Sequence, residues 1–171
     1  AGGRYSTVAS SNCSACVRGT YSNSGAASCV ACFAGYYSEE ESSACTKCDG
    51  GTYSNESAAS CIDCTAGRFS ASGASECTIC DAGKKSEAAA AACETCEGGT
   101  YSLEESANCT TCAGGTAAAS GSAACAACDG GYFATAGSSA CSKCDGGTWS
   151  NVTADACITC VPGRYSQSGA S

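Results

Sequence analysis

Ten Cys-x-x-Cys pairs recur along this chain at an unbroken period of 16 residues, and only a fold built on that period can accommodate them. The cysteines stand at 13, 16, 29, 32, 45, 48, 61, 64, 77, 80, 93, 96, 109, 112, 125, 128, 141, 144, 157 and 160. The stretch CDGGTYSNESAASCIDC, residues 48–64, shows one unit at its clearest. A glycine follows three residues after the second cysteine of every pair, beginning a Gly-x-aromatic-Ser segment. That glycine recurs at 3, 19, 35 and so on to 163 without exception. Its invariance within the chain predicts a positive φ or a close backbone approach.

Composition decides what the cysteines are for. The chain is 44% apolar by count, but alanine and cysteine supply most of that. Only five Val, three Ile, one Leu and three Phe remain in 171 residues, with net charge −8. Burial on that scale could not offset chain entropy, so without cross-links such a chain would be disordered. Twenty cysteines change the class to a disulfide-stapled scaffold in an oxidising, extracytoplasmic place. No apolar stretch is long enough to span a membrane.

Between the cysteines the residues are small and polar. Segments such as SNSGAAS (22–28) and SASGASE (70–76) read as turns, and only stubs of two to four residues suit strands. Two residues after each glycine stand Tyr5, Tyr21, Tyr37, Tyr53, Phe69, Tyr101, Phe133, Trp149 and Tyr165, with Lys85 and Ala117 as breaks. They read as a packing ladder, each ring covering a disulfide of the next module; a continuous aromatic binding strip is the alternative. A longer period overlies the first. CDGGTYSN (48–55) returns as CDGGTWSN (144–151), and GRFSASGAS (67–75) as GRYSQSGAS (163–171), both offset by 96 residues or six modules. Residues 1–171 therefore read as one continuous array of about ten modules. Both termini fall in mid-repeat, which suggests a window on a longer array.

The pattern C-x2-G-x-[YF]-S…C-x2-C resembles the ephrin-receptor-like cysteine-rich repeat. It is also similar to the A-type module of tumour necrosis factor receptor ectodomains. Such repeats occur in cell-surface receptors and in fibre-forming surface proteins similar to mastigoneme components. The A-type resemblance implies that the second cysteine of one pair joins the first of the next. That pairing is Cys16–Cys29, Cys32–Cys45, Cys48–Cys61, Cys64–Cys77, Cys80–Cys93, Cys96–Cys109, Cys112–Cys125, Cys128–Cys141 and Cys144–Cys157. Cys13 and Cys160 would then be half-pairs to flanking modules. An interlocked pattern, crossing between neighbouring modules, is the rival. Bonds inside each Cys-x-x-Cys would make strained redox sites, and ten of those serve no scaffold. Zinc is a further reading of Cys-x2-Cys pairs, but equal gaps mark no grouping into sites and the chain has no His.

Function follows by exclusion and by placement. No nucleophile–base pair or pocketed carboxylate pair marks an enzyme, and no cofactor motif is present. An acidic chain argues against nucleic acid and anionic membrane as partners. Asn12, Asn55, Asn108 and Asn151 head Asn-x-Ser/Thr sequons, and they fall into two pairs, each 96 residues apart. The expectation is an elongated, glycosylated, disulfide-rich solenoid that is extracellular and acts mechanically. It would form the shaft of a fibre, filament or surface appendage by self-association; a receptor or adhesin stalk is the alternative.

Overall fold

The computed structural model describes residues 2–7 and 12–171. The chain divides into two compact units, Ala1–Ile79 with Ser86–Cys93 and Cys80–Lys85 with Glu94–Ser171. Each is a stack of the same disulfide-rich module, with short β-strand pairs and, among the described residues, no helix.

One module begins with a tight turn and a hairpin. The Thr52 amide donates to the Asp49 carbonyl (3.1 Å), closing a four-residue turn whose third residue, Gly51, has φ 89°. A positive φ at the third residue alone defines a type II turn, which favours glycine there and proline before it. The chain's one proline, Pro162, occupies that second position ahead of Gly163. Two residues then pair antiparallel with the two between the cysteines of the next pair, as Thr52–Tyr53 does with Ile62–Asp63. Aromatic and β-branched partners face each other at Tyr21 and Val30, Tyr53 and Ile62, and Trp149 and Ile158. Such pairs contribute roughly 0.2–1 kcal/mol each. Both breaks in the aromatic series are matched by their partners. Lys85 lies opposite Glu94 with an ion pair of 3.1 Å, and Ala117 lies opposite Ala126.

Stacking runs on the backbone. The Gly51 amide donates to the Ser70 carbonyl (2.8 Å), and the Ser54 amide to the Ala74 carbonyl (3.3 Å), both in the next module. Tyr53 also forms a parallel bridge with Ala74. A third bond skips a module: the Gly73 amide donates to the Cys48 carbonyl (2.8 Å). These bonds recur along each unit, so within a unit a module touches its first and second neighbours. Repeat proteins usually rely on first neighbours alone.

The core is a column of sulfur and hydroxyl. Cys16, Cys32, Cys48 and Cys64 in the first unit, and Cys80, Cys96, Cys112, Cys128 and Cys144 in the second, are at most 1% exposed. Beside them lie serines that close each Gly-x-aromatic-Ser segment, from Ser22 to Ser102 and again at Ser150, buried almost as fully. Each hydroxyl is satisfied by a carbonyl of the preceding module, as Ser54 Oγ donates to the Tyr36 carbonyl at 3.0 Å. Ala118 and Ala134 take this place in two modules and are buried too. Replacing Ser54 by Ala should therefore cost about 1 kcal/mol, a typical net hydrogen bond. The reverse change, Ala118→Ser, should stabilise by up to about 1 kcal/mol by reaching the Thr100 carbonyl. Thermal unfolding of the two variants with disulfides intact checks both signs.

The invariant glycine has two reasons to be glycine. All eleven copies have φ between 78° and 89°. In addition, a Cβ on Gly51 would overlap the carbonyl oxygen of Ala89, in the turn of the second neighbour. The same clash would arise between Gly3 and Glu41, Gly19 and Ser57, and Gly115 and Thr153. The turn position from which such a clash arises is itself left-handed. It is Gly25, Gly73, Gly121, Gly137 or Gly169 in some modules and Glu41, Ser57, Ala89, Glu105 or Thr153 in others, the latter with φ of 57–61°.

A size rule governs most of the modules that use glycine at that turn. Lys47 lies across Gly73 and Lys143 across Gly169, where a Cβ would meet the lysine Cε and push it aside. Thr95 and Thr111 approach Gly121 and Gly137 more loosely, their methyls 3.3 and 3.5 Å from a Cβ built there, a slightly tight and an ordinary contact. Where the equivalent crossing position holds Ala15, Ala31 or Ala127, the turn carries Glu41, Ser57 or Thr153. Asp63 and Ile79, at the same spacing before Ala89 and Glu105, do not follow the rule.

Candidate functional site

Open grooves of about 250–540 Å³ line the repeated surface. They repeat with the module, because the same positions line each one. Tyr37 shares its groove with Asp49, Thr52 and both halves of the Cys48–Cys61 cystine. Tyr53 shares the next with Arg68, Glu76 and Cys77. Lys85 stands in the ring's place beside Cys96–Cys109. Most of the rings are half-buried along one edge of the hairpins. Groove chemistry therefore varies while groove shape repeats. Tyr21, Phe33 and Tyr36 make an apolar one, with Phe33 76% exposed.

The cysteines form a ladder. Disulfides join Cys16–Cys29, Cys32–Cys45, Cys48–Cys61 and Cys64–Cys77 in the first unit. In the second they join Cys96–Cys109, Cys112–Cys125, Cys128–Cys141 and Cys144–Cys157. Each pair has Cα atoms 5.7–5.8 Å apart, at the usual spacing for a disulfide. Cys80 and Cys93 are also disulfide-bonded. Cys13 is exposed and Cys160 half-buried, and neither is paired within these 171 residues. Among the described residues, no three His, Cys, Asp or Glu side chains are grouped to hold a metal.

The four sequon asparagines are all exposed, but their settings differ. Asn55-Glu56-Ser57 and Asn151-Val152-Thr153 run over the turn that follows the buried serine, and all six residues are exposed. The sequon at Asn108 lies on the hairpin instead: Cys109 is bonded to Cys96, and Thr110 pairs with Tyr101. Asn12 precedes the strand Ser14–Ala15, with Ser14 opposite Tyr5. Acidic side chains stay on the surface, where Arg4 pairs with Glu41 and Lys84 with Asp81 at 3.2 Å.

Two features escaped sequence reasoning. The serine after each aromatic was visible as a repeat, yet serine is also a common turn residue, so its burial carried no signal. The contact with the second neighbour had no signature in a single short period.

Comparison with known proteins places part of this pattern. No curated protein matches the chain. No helix among the described residues is long and apolar enough to cross a membrane. Residues 35–75 match the family model described as tyrosine-protein kinase ephrin type A/B receptor-like. That match and the disulfides together indicate an extracellular location and a receptor-like or structural role. With the same cystine spacing on both sides of the matched segment, the chain is an array of cysteine-rich repeats that resemble the ephrin-receptor-like module.

Proposed function

We propose that this chain is the repeating part of an extracellular structural glycoprotein, in which it forms the shaft of a fibre, filament or surface appendage. The observation that carries the reading is the unbroken stacking of modules within each unit, where every module is tied by backbone bonds to its first and second neighbours. Stiffness along the stack follows from that double tie, and the shallow grooves offer little to a small ligand. On this reading the chain is neither an enzyme nor a cofactor carrier, and its partners are copies of itself. Charge supports self-association. All sixteen carboxylates lie between Glu39 and Asp155, whereas residues 1–38 hold only Arg4 and Arg18 as charges. That acid-free stretch exposes Val17 and Phe33 at 65% and 76%. Arg4 is already paired with Glu41, so a second copy would meet Arg18 beside the exposed Val17 and Phe33.

The match of residues 35–75 favours a second reading, the stalk of a cell-surface receptor or adhesin. Electron microscopy and sedimentation of the secreted protein separate the two. Filaments of constant width, dispersed by Phe33→Asp and by high salt, are the expected result. Monodisperse single chains at every concentration and salt would overturn the fibre and leave the stalk.

A further inference from the structure

We propose that the sequons belong to two classes: Asn55 and Asn151 carry N-linked sugar constitutively, while sugar at Asn108 competes with the Cys96–Cys109 disulfide. This rests on the extracellular reading above and is independent of fibre formation. In N-glycosylation the asparagine amide nitrogen bonds to the anomeric carbon of a lipid-linked oligosaccharyl diphosphate. The carbon–oxygen bond to the diphosphate breaks, the lipid diphosphate leaves, and the amide loses a proton. The transferase must hold the asparagine amide and the hydroxyl two residues later at once. All three residues must therefore be free to leave the protein surface together.

At Asn55 and Asn151 the geometry permits this. All three residues of each sequon are exposed, and the backbone tie lies only at the third, where Ser57 donates to the Cys32 carbonyl and Thr153 to the Cys128 carbonyl, both at 2.9 Å. At Asn108 the middle residue is itself cross-linked. Cys109 is bonded to Cys96, and Thr110 is held in the hairpin opposite Tyr101. Only two residues further on, the Cys112 amide donates to the Gly99 carbonyl at 2.9 Å, closing that hairpin. Once the disulfide forms, the sequon cannot be drawn out. Cys96 precedes Cys109 in the chain, so it is already available as Asn108 emerges from synthesis. Oxidation and sugar transfer then race at one residue pair. Asn12 also lies at a strand, but residues 8–11 on its N-terminal side lie outside the described residues, and the proposal is confined to Asn108.

Site occupancy in the secreted protein tests this by mass spectrometry after enzymatic deglycosylation in heavy-oxygen water, which marks each formerly occupied asparagine. Asn55 and Asn151 are expected to be almost fully marked and Asn108 marked in a minority of molecules. Cys109→Ser removes the disulfide yet retains an Asn-x-Thr sequon, and it should raise marking of Asn108 severalfold. Cys96→Ser breaks the same bond without touching the sequon and should do the same. Cys112→Ser, which breaks the neighbouring Cys112–Cys125 bond, should leave Asn108 as in the parent and so controls for general misfolding. Equal marking of Asn108 in all four proteins, or bare Asn55 and Asn151, overturns the proposal. Neither outcome touches the fibre, which the micrograph decides.

Discussion

Full reduction at neutral pH without denaturant is expected to unfold both units, and removal of metal ions is expected to change nothing. Each disulfide closes a loop with a sequence separation of 13, worth roughly 3 kcal/mol in the chain-entropy model. With four such bonds in the first unit alone, the cross-links are comparable with the whole stability of an ordinary domain, about 5–15 kcal/mol. Little else could replace them. The buried apolar side chains are cysteines and alanines, and the largest aliphatic residues, including Leu103, Ile62 and Ile158, stand exposed. Backbone bonds between modules contribute about 0.5–1.5 kcal/mol each, but they form only once the modules are already aligned. Hydrogen exchange and proteolysis before and after reduction read the result. A reduced chain that keeps its slow-exchanging amides would show that the backbone ladder suffices. Loss of structure with a chelator alone would reveal a metal dependence that the cystine ladder does not account for.

The second large effect is expected at a single methyl group. Gly51→Ala forces a non-glycine residue to φ 89° and drives its Cβ into the carbonyl of Ala89. A left-handed alanine costs about 1–2 kcal/mol and overpacking against backbone about 1–3 more, so the variant should lose about 2–5 kcal/mol. Gly25→Ala supplies the contrast. Its φ is 80°, but a Cβ there meets nothing within 4 Å, and Glu41 and Ser57 already occupy the equivalent turn in later modules. That variant should lose about 1–2 kcal/mol, the backbone cost alone. Denaturant unfolding with disulfides intact measures both. Equal losses would mean that conformation, not contact with the second neighbour, is what the glycine is for.

The contrast also marks how far the sequence could be read. Sixteen-residue spacing and the scarcity of aliphatic side chains already specify a stapled repeat with stub strands, and the glycine at 51 already demands an unusual φ. That Ala89 is what meets this glycine was not legible. Periodicity says which positions are equivalent, not which of them touch. Lys85 illustrates the same limit: it broke a pattern in sequence, and only the register opposite Glu94 explains why a cation fits there. The sequons were legible as motifs in two phases of the repeat, and the cysteine beside Asn108 already set oxidation against sugar transfer; that Thr110 is held opposite Tyr101 was not legible. The motif at Asn108 reads alike whether Cys109 is free or bonded.

The rule linking Lys47 to Gly73 bears on how such an array can lengthen over evolutionary time. Copying a single module would place a new turn against a side chain it was not selected to accommodate. A lysine would then meet Glu or Ser, and its Cε would have to swing aside. Inheritance in blocks longer than two modules keeps each side chain with its own turn except at the joints. The 96-residue repeat is such a block: it carries Lys47 and Gly73 over to Lys143 and Gly169 as an intact pair. Unequal crossing-over in steps of one module would separate these pairs, whereas steps of six preserve them. The long period can thus be inherited from steric matching between second neighbours, whatever the assembled protein does.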